Sequence, residues 1–230
     1  TNLEILDLSF CYINYVPSEI GNLINLEYLN LRGNLLIDFE YYYDYDSTET
    51  LHIDLSIFTN LINLKKIDLS GCGIIGQLGS EFENLTNLEY LKLSGNQFTG
   101  TIPSEIWNFE NLKALELGGF FIMGASVFVN SITGTIPDEV GNLINLKKLD
   151  LRNNEFSGEI PASLFNLDSL DTLFLEGNLF SGLMFPDGAI PIVPVQAGPK
   201  SERISPNKLD ATTTSNHSGL STNLATKISI

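Results

Sequence analysis

The stretch Leu88-Glu89-Tyr90-Leu91-Lys92-Leu93-Ser94-Gly95-Asn96 decides the fold. Leucines stand at its positions one, four and six, and an asparagine closes it at nine. In a strand, alternate side chains face opposite sides. Positions four and six therefore enter one interior, while three, five and seven point away from it. Burying a leucine contributes on the order of 1.5–3 kcal/mol, and a single strand has nothing to bury it against.

Working outward, the same unit recurs. Asn2-Leu3, Asn25-Leu26, Asn63-Leu64, Asn87-Leu88, Asn111-Leu112, Asn145-Leu146 and Ser169-Leu170 open seven units, at steps of 23, 38, 24, 24, 34 and 24 residues. A period of this size marks an architecture of stacked coils, each covering its neighbour's apolar face. Two steps exceed the rest by about 14 and by 10 residues, and each excess reads as an insertion, near residues 38–51 and at residues 120–129. Looping out the second brings Leu115-Glu116-Leu117-Gly118-Gly119 into register with Asn130-Ser131-Ile132. Position nine is then Asn34, Asn96, Asn130, Asn154 or Asn178, with Cys11 and Cys72 in the first and third units. The chain leaves the strand at this point with buried backbone groups to satisfy. An unpaired one costs about 1–3 kcal/mol, and a short amide side chain can pair with it.

The second half of the unit is regular too, as in Phe98-Thr99-Gly100-Thr101-Ile102-Pro103, Ile132-Thr133-Gly134-Thr135-Ile136-Pro137 and Phe156-Ser157-Gly158-Glu159-Ile160-Pro161. Glycine permits a tight backbone path. Proline, lacking an N–H, suits a strand edge or the first turn of a short helix. The complete unit resembles the plant-type leucine-rich repeat, LxxLxLxxNxFxGxIPxxIxNLxx, of receptor-like kinase and receptor-like protein ectodomains and of polygalacturonase-inhibiting proteins. The resemblance covers about residues 1–185, with a departure at Gln77-Leu78-Gly79, where x-Ile-Pro is expected. It implies an α/β repeat fold. The fold it implies is a right-handed leucine-rich-repeat solenoid of about seven repeats, with a parallel concave β-sheet and short 3-10 or irregular convex segments. Residues 186–230 have no leucine period. They carry Pro191, Pro194, Pro199, Pro206 and the run Thr212-Thr213-Thr214-Ser215, a composition that reads as a disordered tail.

With 28 acidic against 12 basic residues, the formal net charge is -16. Such a field repels nucleic-acid phosphates and anionic lipid, which argues against both as partners and favours a cationic or neutral one. The longest apolar run, FFIMGASVFV at residues 120–129, has 10 residues, against about 20 for a membrane-spanning helix. The chain opens at Thr1 in the middle of the pattern. It reads as a fragment or processed chain of a secreted or membrane-anchored protein, for which the missing signal peptide carries no message.

No motif points to catalysis or a cofactor. Gly71-Cys72-Gly73-Ile74-Ile75-Gly76 matches G-x-G-x-x-G, but a dinucleotide site would need a helix to open at its end, and the segment falls in the turn of a repeat. Cys11 and Cys72 lie two coils apart, about 10 Å at the usual strand spacing, beyond disulfide reach. They are expected to be free, buried and structural. His52 and His217 accompany no nucleophile motif or metal-ligand spacing. Asn84-Leu85-Thr86 and Asn216-His217-Ser218 match the glycosylation sequon. Glu40-Tyr41-Tyr42-Tyr43-Asp44-Tyr45-Asp46 reads first as a solvated loop and second as a tyrosine-rich recognition loop. The apolar run 120–129 is a contact patch, an aggregation liability or retained non-coding sequence.

The outward strand positions are where the repeat leaves sequence free for a partner. The candidate ligand-binding residues are Tyr28, Asn30, Arg32, Lys66, Asp68, Tyr90, Lys92, Lys148, Asp150, Arg152 and Phe174, with Lys92, Lys148 and Arg152 as basic spots and aromatic and Arg side chains as anchors. The resemblance implies a non-enzymatic recognition module for a protein, peptide or glycan, in signalling or defence, extracellular or at the cell surface. A co-receptor is a possible partner, and a kinase domain could lie outside this fragment. Alternatives are a secreted inhibitor of a wall-degrading enzyme and an intracellular interaction scaffold. An ice- or wall-binding role would call for a flat array of Thr at matching positions, which the spacing does not display.

Overall fold

The structure, a computed structural model, describes residues 2–36, 53–123 and 126–183. Seven three-residue strands, Ile5–Asp7, Tyr28–Asn30, Lys66–Asp68, Tyr90–Lys92, Ala114–Glu116, Lys148–Asp150 and Thr172–Phe174, form one parallel sheet. Register is kept throughout: Leu29 opposes Ile67, Ile67 opposes Leu91, Leu91 opposes Leu115 and Leu115 opposes Leu149. Positions four and six of coils two to six are fully buried, from Leu29 and Leu31 to Leu149 and Leu151. In the outermost described coils Leu6, Leu8 and Leu173 are only partly buried. The chain is therefore a solenoid with a single leucine interior, as the repeat predicts.

Position nine behaves as expected. The Asn34 amide Nδ2 donates to the carbonyls of Leu8 and Leu31, at 2.8 and 2.7 Å, and its Oδ1 accepts from the Cys11 and Ile13 amides. Asn130 serves coil five, donating to Leu117 O and Leu93 O, so the register across the insertion holds. Within the second insertion, Phe120–Met123 pairs antiparallel with Ser126–Val129. The tyrosine-rich insertion 38–51, His52, His217, Asn216 and the tail 186–230 lie outside the described residues.

Three features go beyond the sequence reading. First, the asparagine that opens each unit is structural as well. The side-chain amides of Asn63, Asn87, Asn111 and Asn145 donate to the carbonyls of Ile24, Ile62, Thr86 and Glu110 in the preceding coil. Second, position eight is left-handed in every coil. Gly33, Gly71, Gly95, Gly119 and Gly177 have φ between 63° and 74°, and Phe10 and Asn153 have 55° and 52°. An L side chain there costs energy, least for Asn and nothing for Gly. Third, the convex side holds more than 3-10 turns. Those turns are present, for example Ser104–Asn108 and Asp138–Asn142, each entered from a proline as N-cap. Beside them runs a second parallel sheet of Ile75–Gln77, Gln97–Thr101, Ser131–Gly134, Glu155–Ile160 and Leu179–Leu183. It forms because Phe98, Ile132 and Phe156 are buried while the glycine two residues on leaves room for the neighbouring coil. A Cβ on Gly158 would press on Thr135 Cγ2 at 3.0 Å.

Two expectations are corrected. Both cysteines are free, but Cys11 is exposed and only Cys72 is buried, because among the described residues the coil of Cys11 is covered by coil two alone. The second sheet also carries a short Thr array that the spacing did not reveal. Thr99 and Thr101 are exposed and Thr133 half-exposed on strands paired side by side, with exposed Thr135 just past the second strand. The segment Gly71-Cys72-Gly73-Ile74-Ile75-Gly76 leads into the strand Ile75–Gln77, not into a helix, so no helix N-terminus is there to hold a pyrophosphate.

Candidate functional site

The register stacks the outward positions into three columns on the concave sheet. Position three runs Ile5, Tyr28, Lys66, Tyr90, Ala114, Lys148, Thr172. Position five runs Asp7, Asn30, Asp68, Lys92, Glu116, Asp150, Phe174. The candidate residues do share one surface.

They are not equally open. At position five, Asp7, Asn30, Asp68 and Asp150 each accept the backbone N–H two residues on, from Ser9, Arg32, Ser70 and Arg152. This Asx-type bond turns the chain out of the strand, so these side chains build the fold. Asp68 and Asp150 are 5% and 3% exposed and offer a partner almost no surface. Bonded to the Ser9 amide and hydroxyl, and to Asn30 and Tyr28, the Asp7 carboxyl is held below its usual range.

The basic spots are also engaged. Lys92 and Lys148 both bind Glu116, at 2.8 and 2.7 Å. Burial pushes the Glu116 carboxyl up, but the hydrogen bonds and charges of the two lysines outweigh it and hold the group low. Arg152 grips Asp150 at 2.7 Å, reaches Glu176 at 3.5 Å and lies over the Phe174 ring, 4.2 Å from its centroid. Lys66 sits 4.6 Å above the Tyr28 ring, in cation–π range. The concave face is thus a cross-braced network, in which Lys92, Lys148 and Arg152 are each held by a carboxylate.

A pocket of about 410 Å³ opens in this network. Its cause is the third column, position seven: Ser9, Arg32, Ser70, Ser94, Gly118, Arg152, Glu176. Three small residues in successive coils lie between two arginines, and all five line the pocket, with Glu176 beyond. Gly118 is fixed by close approach, since a Cβ there would stand 2.5 Å from the Arg152 amide nitrogen. Weighing aromatic and basic anchors missed Ser94, Gly118 and Glu176. The signal was available as a run of small residues at one repeat position, bracketed by Arg32 and Arg152. Among the described residues, no group of three His, Cys, Asp or Glu could hold a metal ion, and no helix is long and apolar enough to cross a membrane.

The profile of the Leucine Rich Repeat family matches residues 2–23, 63–85, 87–109 and 145–167, which are coils one, three, four and six. This is a plant-type leucine-rich-repeat chain. No curated protein matches it in sequence. Among solved structures, this leucine-rich-repeat chain is similar to the Arabidopsis receptor kinase HAESA in complex with the peptide hormone IDA and the co-receptor SERK1. Identity is 32% over 81% of this chain and 28% of that one, with a TM-score of 0.61. It is similar to a TDR receptor at 33% identity over 74% and 29% of the two chains, TM-score 0.56. It is also similar to a plant ice-binding protein at 27% identity over 80% and 49%, TM-score 0.57. The chain spans little more than a quarter of the length of HAESA and of the TDR receptor.

Proposed function

We propose that this chain is a non-enzymatic recognition module of an extracellular or cell-surface receptor, which holds a peptide or a segment of a protein on its concave face. The observation that carries this reading is the pocket at position seven, a concavity built from coil register on the face where the repeat leaves side chains free. The similarity to HAESA, solved with a peptide hormone and a co-receptor, supports a peptide ligand, a signalling role and a second protein as co-receptor. Tyr28, Tyr90 and Lys66 would add contact area at one end, and Lys148 and Phe174 at the other. Asn84 is exposed beside the turn Ser80–Phe82, away from the concave sheet, so a glycan there would leave that sheet open.

The test is hydrogen–deuterium exchange of the full chain with pooled synthetic pentapeptides, acetylated and amidated at their ends. Protection of the strands Tyr90–Lys92, Ala114–Glu116 and Lys148–Asp150 is expected. Protection confined to the second sheet, or none with any peptide pool, refutes the reading. A second reading is favoured by one observation, the exposed Thr99 and Thr101 on one strand, Thr133 paired beside Thr101 and exposed Thr135 just past the neighbouring strand, in a chain similar to a plant ice-binding protein. That array is two coils deep, and the next coil places Ser157 and Glu159 at the same positions. Ice-recrystallisation inhibition by the full chain, lost in Thr101→Lys, would establish it.

A further inference from the structure

Resting on the concave-face reading, a narrower question is what chemistry the position-seven pocket accepts. Two arginines and a lysine line it, which at first sight suits a carboxylate ligand. The bonding says otherwise. Lys92 is bound to Glu116, and Arg152 to Asp150 and Glu176, while Arg32 lies 5.8 Å from the Phe10 ring centroid. With Glu116, Asp150 and Glu176 on the same wall, three cations meet three anions and the lining is neutral. Lys92 and Arg152 reach an entering carboxylate only by giving up pairs they already hold. Two oxygens, by contrast, are left over: the Glu176 carboxylate oxygen can only accept, and the Ser94 hydroxyl can accept or donate. Ser94 Oγ and Glu176 Oε2 are buried atoms without a hydrogen-bond partner, and both residues line the pocket. A buried oxygen left unpaired costs about 1–3 kcal/mol, which a ligand bearing N–H groups would recover. The field of the whole chain, at net charge -16, draws in the same class of ligand.

We propose that the position-seven pocket receives an extended basic peptide, whose Lys or Arg side chain donates to Glu176 Oε2 and whose backbone amide donates to Ser94 Oγ. Ser94 and Glu176 are three strand spacings apart, roughly 14 Å at about 4.8 Å per strand. An extended peptide covers that distance in about four residues, at roughly 3.3–3.6 Å each. The small floor residues Ser94 and Gly118 leave room for its backbone, which passes over Arg152 to reach Glu176.

The experiment compares three probes on the full chain by calorimetric titration and hydrogen exchange: pentapeptide pools with Lys or Arg fixed at one position, matched pools with Asp or Glu there, and cellotetraose. The basic pools are expected to bind at least tenfold more tightly than the acidic ones and to protect Tyr90–Lys92 and Thr172–Phe174. Glu176→Gln should weaken the basic pools about tenfold and flatten their salt dependence, with the unfolding midpoint checked in parallel. Ser94→Tyr, which fills the floor with Glu176 intact, should abolish binding. Preference for the acidic pools or for cellotetraose on the same strands overturns this inference and leaves concave recognition standing, as does basic binding that Glu176→Gln does not change. Absence of protection on the concave strands with every probe overturns both.

Discussion

Coils three and four make the same turn with different side chains. Asn96 spends its whole amide on it. Its Nδ2 donates to Leu69 O and Leu93 O, both at 2.9 Å, and its Oδ1 accepts from the Cys72 and Ile74 amides, both at 3.1 Å. Cys72 at the same position donates its thiol to Leu31 O at 3.1 Å and has no amide oxygen to offer coil two. There the Leu36 N–H turns to Cys72 O, at 3.0 Å. The strands on either side keep their register. What the turn demands is therefore not asparagine itself but a partner for every buried backbone group. Asparagine meets the demand alone, and cysteine meets it with help from its own carbonyl.

Asn96→Ala puts that lesson under the greatest load. It leaves the Leu69 carbonyl and the Cys72 and Ile74 amides of coil three without partners, in the middle of the array where water does not reach, while Leu93 O keeps the Asn130 amide. At about 1–3 kcal/mol per buried unpaired group, with partial relaxation, a loss of about 3 kcal/mol or more is expected in urea unfolding. A loss below about 1 kcal/mol would mean that backbone carbonyls replace the amide as readily in coil four as in coil three.

The cysteine rung is next. Burial pushes the Cys72 thiol up to about 12, against the nearby Asn34 and Gly33 amides, which lower it. The thiolate is the reactive form, so Cys72 is inert in the folded chain. Iodoacetamide at pH 8 should label exposed Cys11 alone, and Cys72 only after urea. Fast labelling of both would show that coil three opens locally. Cys72→Asn asks whether the missing acceptor matters. A second complete amide rung should raise stability by about 1 kcal/mol. A neutral or negative result would show that Leu36 and Cys72 already satisfy each other in full.

These comparisons also mark how much was legible in sequence. The leucine period and Asn34, Asn96, Asn130, Asn154 and Asn178 gave the coil register, even across the insertion at residues 120–129, because burial and backbone pairing act at fixed positions within a unit. The second amide ladder from Asn63 to Asn145 was printed seven-fold as Asn-Leu or Ser-Leu, yet served only as a ruler. Its role depends on which carbonyl of the preceding coil lies opposite. The site was less legible still. Asp68 and Asp150 occupy outward positions by the alternation of a strand, but the following residues fold over them. Lys92 and Arg152 look like free charges until Glu116, Asp150 and Glu176 are placed beside them, one of these in the same coil and two in neighbouring ones. The pocket comes from Ser70, Ser94 and Gly118, residues remarkable only for what they lack.

The smallest expected effect separates the interior rungs from the concave braces. Amide rungs are neutral and hold at any pH, whereas Lys92–Glu116–Lys148 ties coils four, five and six with a titrating carboxylate. Because the folded state holds Glu116 below its ordinary value, the brace stabilises the chain fully above the unfolded carboxylate pKa, near 4.3. That contribution fades as pH falls through the lower, folded value. Glu116 is 15% exposed, and its lysines are 25% and 32% exposed. Solvent therefore screens the pairs, and their joint contribution is about 1 kcal/mol. Glu116→Gln should cost about that much at pH 7, less in 1 M salt, and converge on the unsubstituted chain as pH drops below 4, in thermal unfolding followed by circular dichroism. A gap between the two chains that stays constant from pH 7 to pH 3 would mean that Glu116 acts through packing alone, and that coil-to-coil cohesion on the concave side is as insensitive to pH as the asparagine interior.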